Sequence, residues 1–388
     1  MEKIGHMTAS AAELLKRMVA IPSLSFQEEE RSTFLFSELL RRAEETSAQC
    51  GKIVVERLCN NIILYKENFC SNKPVLMLNS HIDTVPPAAA YTFDPYMPFE
   101  KDGAIYGLGT NDDGASVVSQ IEAFFHLVTD DTLAVNLMLV LSAEEERSGA
   151  SGMAKFLEEF PLQPDFAIIG EPTGMEAAVA ERGLLVLDGT ATGVSGHAAR
   201  NEGVNALYIA LDDINTLRNY EFERKSSLMG DVKLTVTQLN CGTAHNVVPA
   251  QATFVVDIRP TEQYSNPEIL ELLQNRVKSE LKARNLKNRS SATPQEHPLM
   301  QTVEELGIAK QISATTSDWM KIPYPAIKMG PGQSARSHKA DEFIKIEEIL
   351  GAIEGYIKFI KQIKYVYGNF MEQRYQLHPD CGGLHSWQ

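Results

Sequence analysis

Long apolar runs are missing from this chain: no stretch approaches the roughly 20 residues a membrane-spanning helix needs. Positive charge is scarce as well. Lys and Arg total 36 against 51 Asp and Glu, a net charge of -15, and a field of that sign repels nucleic acid and anionic membrane surfaces. Neither is expected as a partner; basic or zwitterionic small molecules suit the charge better. Cysteine is sparse and unpatterned. Cys50, Cys59, Cys70, Cys241 and Cys381 are odd in number and form no Cys-x-x-Cys, which fits free thiols in a reducing compartment rather than a disulfide framework. The N-terminus has neither a basic segment nor an apolar core of a secretion signal, so a cytoplasmic location is expected. Repeats are absent. The glycines of Gly107-Leu108-Gly109 lack the third glycine of a dinucleotide loop, and no Gly-Lys-Ser/Thr is present, which argues against phosphate binding.

What is there is enough for two cores. At 388 residues the chain exceeds what one core usually supports, and 44% of it is apolar. Helical spacing marks Leu14, Leu15, Met18 and Val19 near the start, with Ser10-Ala11-Ala12-Glu13 read as a capping box and Ser25-Phe26-Gln27-Glu28 as the same signal for the next helix. A last amphipathic helix carries Ile349, Leu350, Ile353, Ile357 and Ile360 on one face.

Several apolar strands end in groups that can bind metal. Val75-Leu76-Met77-Leu78 leads into Asn79-Ser80-His81-Ile82-Asp83. Residues two apart share a strand face, so the Asp83 carboxylate can accept the second N–H of the His81 ring; by itself, His-x-Asp fits a hydrogen-bonded surface pair better than a metal site. The loop from Gly107 to Gly114 carries Asp112 and Asp113 to the start of a helix over Ala115 to Leu127, where either could also be a plain N-cap. Val135 to Leu141 is followed by Ser142-Ala143-Glu144-Glu145-Glu146-Arg147. Three adjacent carboxylates repel one another and call for a positive partner, although Glu also suits a solvated first turn of helix. Phe166 to Ile169 ends in Gly170-Glu171-Pro172-Thr173. Ile327-Lys328-Met329 ends in Gly330-Pro331-Gly332, with Ser337-His338-Lys339-Ala340-Asp341-Glu342 just after. Strands that all end in such groups are expected of an open α/β sheet, whose sites collect at the carboxyl ends of its strands.

The pattern changes from about Ala178. A strand at Leu184 to Leu187, a Gly193-Val194-Ser195-Gly196-His197-Ala198 loop, a helix around Asn205 to Leu217, strands over Val232 to Gln238 and Ala252 to Ile258, and a helix from Pro267 to Ala283 read as an inserted β-α-β-β-α domain. The expected division is 1–177 and 291–363 for one domain, 178–290 for the insert, and 364–388 for a tail. His378, Cys381 and His385 in that tail fit a mobile terminus better than a third metal position.

Together His-x-Asp, Gly-x-Gly-x-x-Asp, the Glu-Glu pair, Gly-Glu-Pro-Thr and the late His-x-x-x-Glu resemble the signature of the di-zinc amidohydrolase family of acetylornithine deacetylase, succinyl-diaminopimelate desuccinylase, aminoacylase and carboxypeptidase relatives. The match runs from about Leu14 to Ile363. The resemblance implies a mixed-sheet, zinc-peptidase-like α/β catalytic domain with an inserted α+β lid and dimerisation domain. It implies two Zn2+, or Co2+ or another divalent metal in one position. Asp112 would bridge them, His81 and Glu171 would complete one site, and Glu146 and His338 the other. Glu145 would be the general base and Asp83 would stand behind the ligands. His197 would reach the active site of a second copy as an oxyanion donor, while Asn246, Arg259 and Gly332 would contact the substrate. The reaction implied is hydrolysis of an N-acyl amino acid.

Departures bear on the substrate. Leu108 replaces the usual Arg between the two glycines, and Asp113-Gly114-Ala115 stands where Lys-Gly is common. Glu181-Arg182-Gly183-Leu184 replaces the Arg-Arg-Gly-Ser of the diaminopimelate enzymes. The last difference favours the acetylornithine deacetylase branch and arginine biosynthesis, with acetyl or succinyl on ornithine or citrulline. A succinyl-diaminopimelate desuccinylase or dipeptidase of the same family and a silent binding relative are the alternatives, the last disfavoured because every ligand and Glu145 are present. Arg200 and Arg336 would meet a second substrate carboxylate or remain solvated charges.

Overall fold

A computed structural model describes residues 2–200 and 202–364. The chain divides into two units. Among the described residues, the first comprises the chain up to Ala177, Pro294–Ala309 and the chain from Ile327 onward, and the second Ala178–Thr293 with Lys310–Ala326.

The first unit contributes to a mixed sheet, in order, the strands Ile53–Leu58, Asn61–Lys66, Asn136–Ser142, Val75–His81, Phe166–Ile169 and, from Ile327 on, Ala326–Lys328. Val75–His81 runs parallel to both Asn136–Ser142 and Phe166–Ile169, so the carboxyl ends of these three strands lie at one edge. The hairpin Ile53–Leu58/Asn61–Lys66 adds antiparallel strands beyond. Val75–His81 and Asn136–Ser142 are buried along their whole length, as continuous apolar runs in a parallel sheet should be. Helix Ala115–Leu127 packs on these two strands and against helices Glu2–Val19 and Ile346–Gln362. It is buried nearly all round, with only His126 half-buried, and the removal of one of its large apolar side chains would cost about 2–5 kcal/mol.

The second unit has a four-stranded antiparallel sheet ordered Lys233–Cys241, Gln251–Arg259, Leu185–Thr192, Glu280–Ala283. Leu185, Leu187 and Ala191 alternate inward and, with Phe254, Val256 and Ile258, form a core closed by Ala206 and Ala210 of helix Ala206–Arg218 and Ile269 and Leu273 of helix Asn266–Gln274.

Four expectations are corrected. The first helix already runs from Glu2 to Val19, so Ser10 is interior to it and caps nothing; no breaker separates Glu2 from the apolar stripe. Glu28, not Ser25, is the N-cap residue of helix Glu29–Cys50, and it makes no side-chain cap bond; both side chains are engaged elsewhere. The helix expected over Pro267 to Ala283 stops at Gln274, and Glu280–Ala283 is a strand on Leu187–Thr190. Asp213 turns the chain there by accepting from the N–H groups of Lys278 and Ser279 at 3.0 and 2.7 Å. Lys310–Ala326 belongs with the second unit, where the Ser317 hydroxyl donates to the buried Glu181 carboxylate and Ser291 donates to the Trp319 carbonyl. The tail residues His378, Cys381 and His385 lie outside the described residues. No described helix is long and apolar enough to cross a membrane.

Candidate metal centre

The carboxyl edge of the first unit's sheet delivers His81 from the last position of its strand, Glu145 and Glu146 just beyond Ser142, and Glu171 just beyond Ile169. Asp112 comes from the irregular turn Thr110–Gly114 that opens helix Ala115–Leu127, and the Asp112–Asp113 peptide is cis. His338 follows the turn Ser334–Arg336 and adopts φ 59, a left-handed conformation uncommon for a residue with a Cβ.

These side chains converge. His81 Nε2 lies 3.2 Å from Asp112 Oδ1, and His338 Nε2 lies 3.7 Å from Asp112 Oδ2, so the two oxygens of one carboxylate face two different imidazoles. His338 Nε2 also sits 3.0 Å from Glu146. Donor atoms of His81, Glu145 and Glu171 lie within 4.8 Å of one another, as do those of His81, Asp112 and Glu146.

Electrostatics follow from this crowding. Burial pushes the Glu171 carboxyl up to about 8, with the negative charges of Asp112 and Glu146 adding to it and Lys328 and His81 opposing. Burial would likewise raise Asp112, but the hydrogen bond and charge of His81, with Ser337 and His338 behind, hold it below the ordinary carboxylate range. Burial opposes a charge on His81, yet Asp112, Asp83 and Glu145 raise its pKa well above the usual value. The hydrogen bond to Glu146 carries His338 to about 9. Buried carboxylates this close, with imidazole nitrogens aimed among them, suit divalent cations of borderline softness, and the donor set fits a metal centre.

Around the donors stands a layer of fixed supports. His81 Nδ1 is 3.0 Å from the carbonyl oxygen of Asp83 and 3.4 Å from its carboxylate, so the main-chain oxygen, rather than the expected carboxylate, is the nearer acceptor. The Asp83 carboxylate accepts instead from the N–H groups of Glu145 and Glu146 at 3.0 and 3.2 Å and from the Ser25 hydroxyl at 2.7 Å. Glu144 turns away and accepts the Ser151 N–H at 2.9 Å. The repulsion of three adjacent carboxylates is thus relieved by geometry rather than by Arg147, which is exposed.

Sequence reasoning missed several supports. Glu28 is fully buried and accepts the Phe26 and Glu144 N–H groups at 2.7 and 3.1 Å. Arg31, 1% exposed, donates to the carbonyls of Ile21 and Ile82. Glu342 accepts the N–H groups of Gly109, Asn111 and Asp112 at 2.8, 2.8 and 2.9 Å, and burial raises it to about 7. It was visible as the last member of His-x-x-x-Glu but without a task. Lys328 is 1% exposed with Nζ 3.9 Å from Glu171; a lysine inside an apolar strand was the signal.

Gly332, at φ 80, sits where an added Cβ would come 2.4 Å from Asn111 Oδ1, and its carbonyl accepts the Gly174 N–H at 2.7 Å. His197, Asn246 and Arg259 belong to the second unit. His197 is exposed, in a short strand paired with Val247–Val248, and the Asn246 carbonyl accepts the Ala198 N–H at 3.1 Å. Arg259 Nε and Nη2 grip the Asp257 carboxylate at 2.8 and 3.1 Å. Arg336 pairs with Glu348 at 2.6 Å and lies over the Phe343 ring, and Arg200 is exposed.

Residues 77–362 match the profile of peptidase family M20/M25/M40. Among curated relatives, the acetylornithine deacetylase of Proteus mirabilis is 28% identical over 291 residues, 69% of this chain and 74% of the relative. That of Buchnera aphidicola is 26% identical over 324 residues, 77% and 83% of the two chains. Among solved structures, the aminopeptidase PepT of Bacillus cereus has a TM-score of 0.71 at 17% identity, covering 92% of this chain and 98% of its own. A dinuclear metal-binding M20 peptidase of Bacillus subtilis has a TM-score of 0.68 at 17% identity, with the same coverage. These neighbours share the fold.

Proposed function

The chain belongs to peptidase family M20/M25/M40, and on that premise we propose that it hydrolyses the amide of an N2-acyl amino acid, an N-acetyl or N-succinyl derivative of ornithine or citrulline, in arginine biosynthesis. The observation that carries the metal-dependent reading is Asp112, whose two oxygens face His81 and His338 at 3.2 and 3.7 Å. In this reading His81, Asp112 and Glu171 would hold one Zn2+ and Asp112, Glu146 and His338 the other. When bound, such a pair of cations would acidify a water and polarise the substrate carbonyl. Glu145 takes the proton from the attacking water and delivers it to the leaving nitrogen, its backbone fixed by Asp83. His81 presents Nε2 because Nδ1 is turned to Asp83. The substrate class rests on the relatives named acetylornithine deacetylase and on the net charge of -15, which suits a basic or zwitterionic amine side.

The second unit is proposed as the lid and dimerisation module. Tyr208 and Leu211 on helix Ala206–Arg218 are 65% and 45% exposed, and Val194, Val204 and Val247 are exposed near the His197 loop's strands, an apolar surface of the kind a second copy covers. His197 would serve the partner's site as oxyanion donor, and Asn246, Gly332 and the Arg259 edge turned from Asp257 would bind the substrate carboxylate. Thiols at Cys50, Cys59, Cys70 and Cys241 are unpaired, in keeping with a cytosolic setting.

Amine release by metal-loaded enzyme from N-acetyl- and N-succinyl-ornithine, N-acyl-citrulline, succinyl-diaminopimelate and dipeptides, with a chelated control, tests the reading. Chelator-sensitive turnover of one N-acyl ornithine or citrulline is expected. Preference for dipeptides would keep the metals and overturn the substrate; no turnover with two metals bound would make the chain a binding protein.

A further inference from the structure

Lys328 is a buried charge in the first unit. Strand Ala326–Lys328 is buried at every position, and the lysine is 1% exposed. Burying an ammonium is costly without a compensating charge, and here the side chain is aimed at a carboxylate: Nζ is 3.9 Å from Glu171 Oε2.

The other carboxylate ligands are placed differently. Glu146 pairs with His338 at 3.0 Å and, among the described residues, with no Lys or Arg. Its partner is half exposed and is itself a proposed ligand. A fixed cation therefore stands beside Glu171 before any metal arrives, whereas the group beside Glu146 is an imidazole that is itself a proposed ligand. An entering divalent cation gains less at Glu171, and it also meets the ammonium's repulsion in a poorly screened interior.

We propose that Lys328 makes the two metal positions unequal: it weakens the position served by Glu171, which fills second and exchanges first, and leaves the position served by Glu146 and His338 tight. This rests on the two-metal reading above. Lys328 acts through Glu171 and touches no reacting atom, so it is a positioning residue.

The test is a titration of chelator-stripped full-length enzyme with Co2+, followed by calorimetry and by the visible absorption of bound Co2+, with a thermal melt to confirm folding. Wild type is expected to bind two ions in resolved steps. Glu171→Gln should weaken only the looser step. Lys328→Gln should tighten the looser step by about tenfold or more, and Lys328→Arg should retain the wild-type pattern. A lysine that merely supports the strand would do the reverse, its loss loosening both steps. Looser or unchanged binding in folded Lys328→Gln, or loss of the tighter step in Glu171→Gln, overturns the inference and leaves two metals standing. Wild type that binds fewer than two Co2+ overturns the two-metal reading and the inference with it. If Lys328→Gln does not fold, Glu171→Gln decides: weakening of the looser step alone supports the assignment, and loss of the tighter step refutes it.

Discussion

Asp83 holds the backbone of Glu145: its Oδ1 accepts the Glu145 N–H at 3.0 Å, while Oδ2 accepts the next N–H, that of Glu146, at 3.2 Å. One buried carboxylate thereby fixes the turn that presents both the proposed base and a proposed ligand. Ser25 donates to the same carboxylate at 2.7 Å, and its charge is kept ionised against burial chiefly by His81. Asp83→Asn would set an amide NH2 against one of those N–H groups. Metal affinity and kcat should each fall about 10- to 100-fold, measured by metal titration and steady-state kinetics. Unchanged values would mean that the turn holds itself.

The proposed division of labour at the Glu-Glu pair is separable by experiment. Glu145→Gln should keep both metals, since Glu146 and not Glu145 is the assigned ligand, while kcat falls about 10²- to 10⁴-fold. Metal content by mass spectrometry and turnover are the readouts. The donor atoms of Glu145 do lie within 4.8 Å of those of His81 and Glu171, so a variant that lost one metal would move Glu145 into the ligand set.

The pKa shifts give metal-free protein a definite pH dependence. Glu171 and Glu342 are raised to about 8 and about 7, so between pH 4.5 and those values the folded state binds more protons than the unfolded one, and stability falls as pH rises. His338, raised to about 9 by Glu146, contributes stability that is complete below its ordinary pKa of about 6.5 and is lost as pH climbs through 9. These three share a sign, while His297, lowered to about 4 by burial, opposes them only below its ordinary pKa of about 6.5, so the Tm of chelated protein should fall from about pH 6.5 to 9. Metal displaces the His338 and Glu171 protons, so the Tm gain on adding Zn2+ should widen over the same window. Calorimetry with and without chelator checks both, and a chelated Tm that rises across this range would contradict the shifts.

The parts of the molecule legible in the sequence were those written in local pattern. Val75–His81, Asn136–Ser142 and helix Ala115–Leu127 are continuous or periodic apolar runs, and donors placed just past strand ends converge because parallel strands share an edge. Supports set by distant contacts were not legible. Ser25 and Glu28 have the spacing of a capping box, but their partners, Asp83 and Glu144, are 58 and 116 residues away. Glu342 holds a loop 230 to 233 residues upstream. The strand Glu280–Ala283 was hidden because Leu281 continues the helical spacing of Leu273 and Val277, and only pairing with Leu187–Thr190 decides.

The two histidines should fail in different ways when removed. His81 is 3% exposed, with Nδ1 at Asp83 and Nε2 at Asp112. His81→Ala would leave a cavity and an acidic cluster without its imidazole, so the metal-free protein should lose about 3–5 kcal/mol of stability along with activity. The His338 side chain is 54% exposed, and an ion pair so open to water is worth little, about 0–1 kcal/mol. His338→Ala should therefore abolish turnover and one metal while leaving the chelated Tm within a few degrees of wild type. Chelated melts and metal stoichiometry on both variants decide it: equal destabilisation would show that His338 supports the fold, and two metals retained in His338→Ala would remove it from the ligand set.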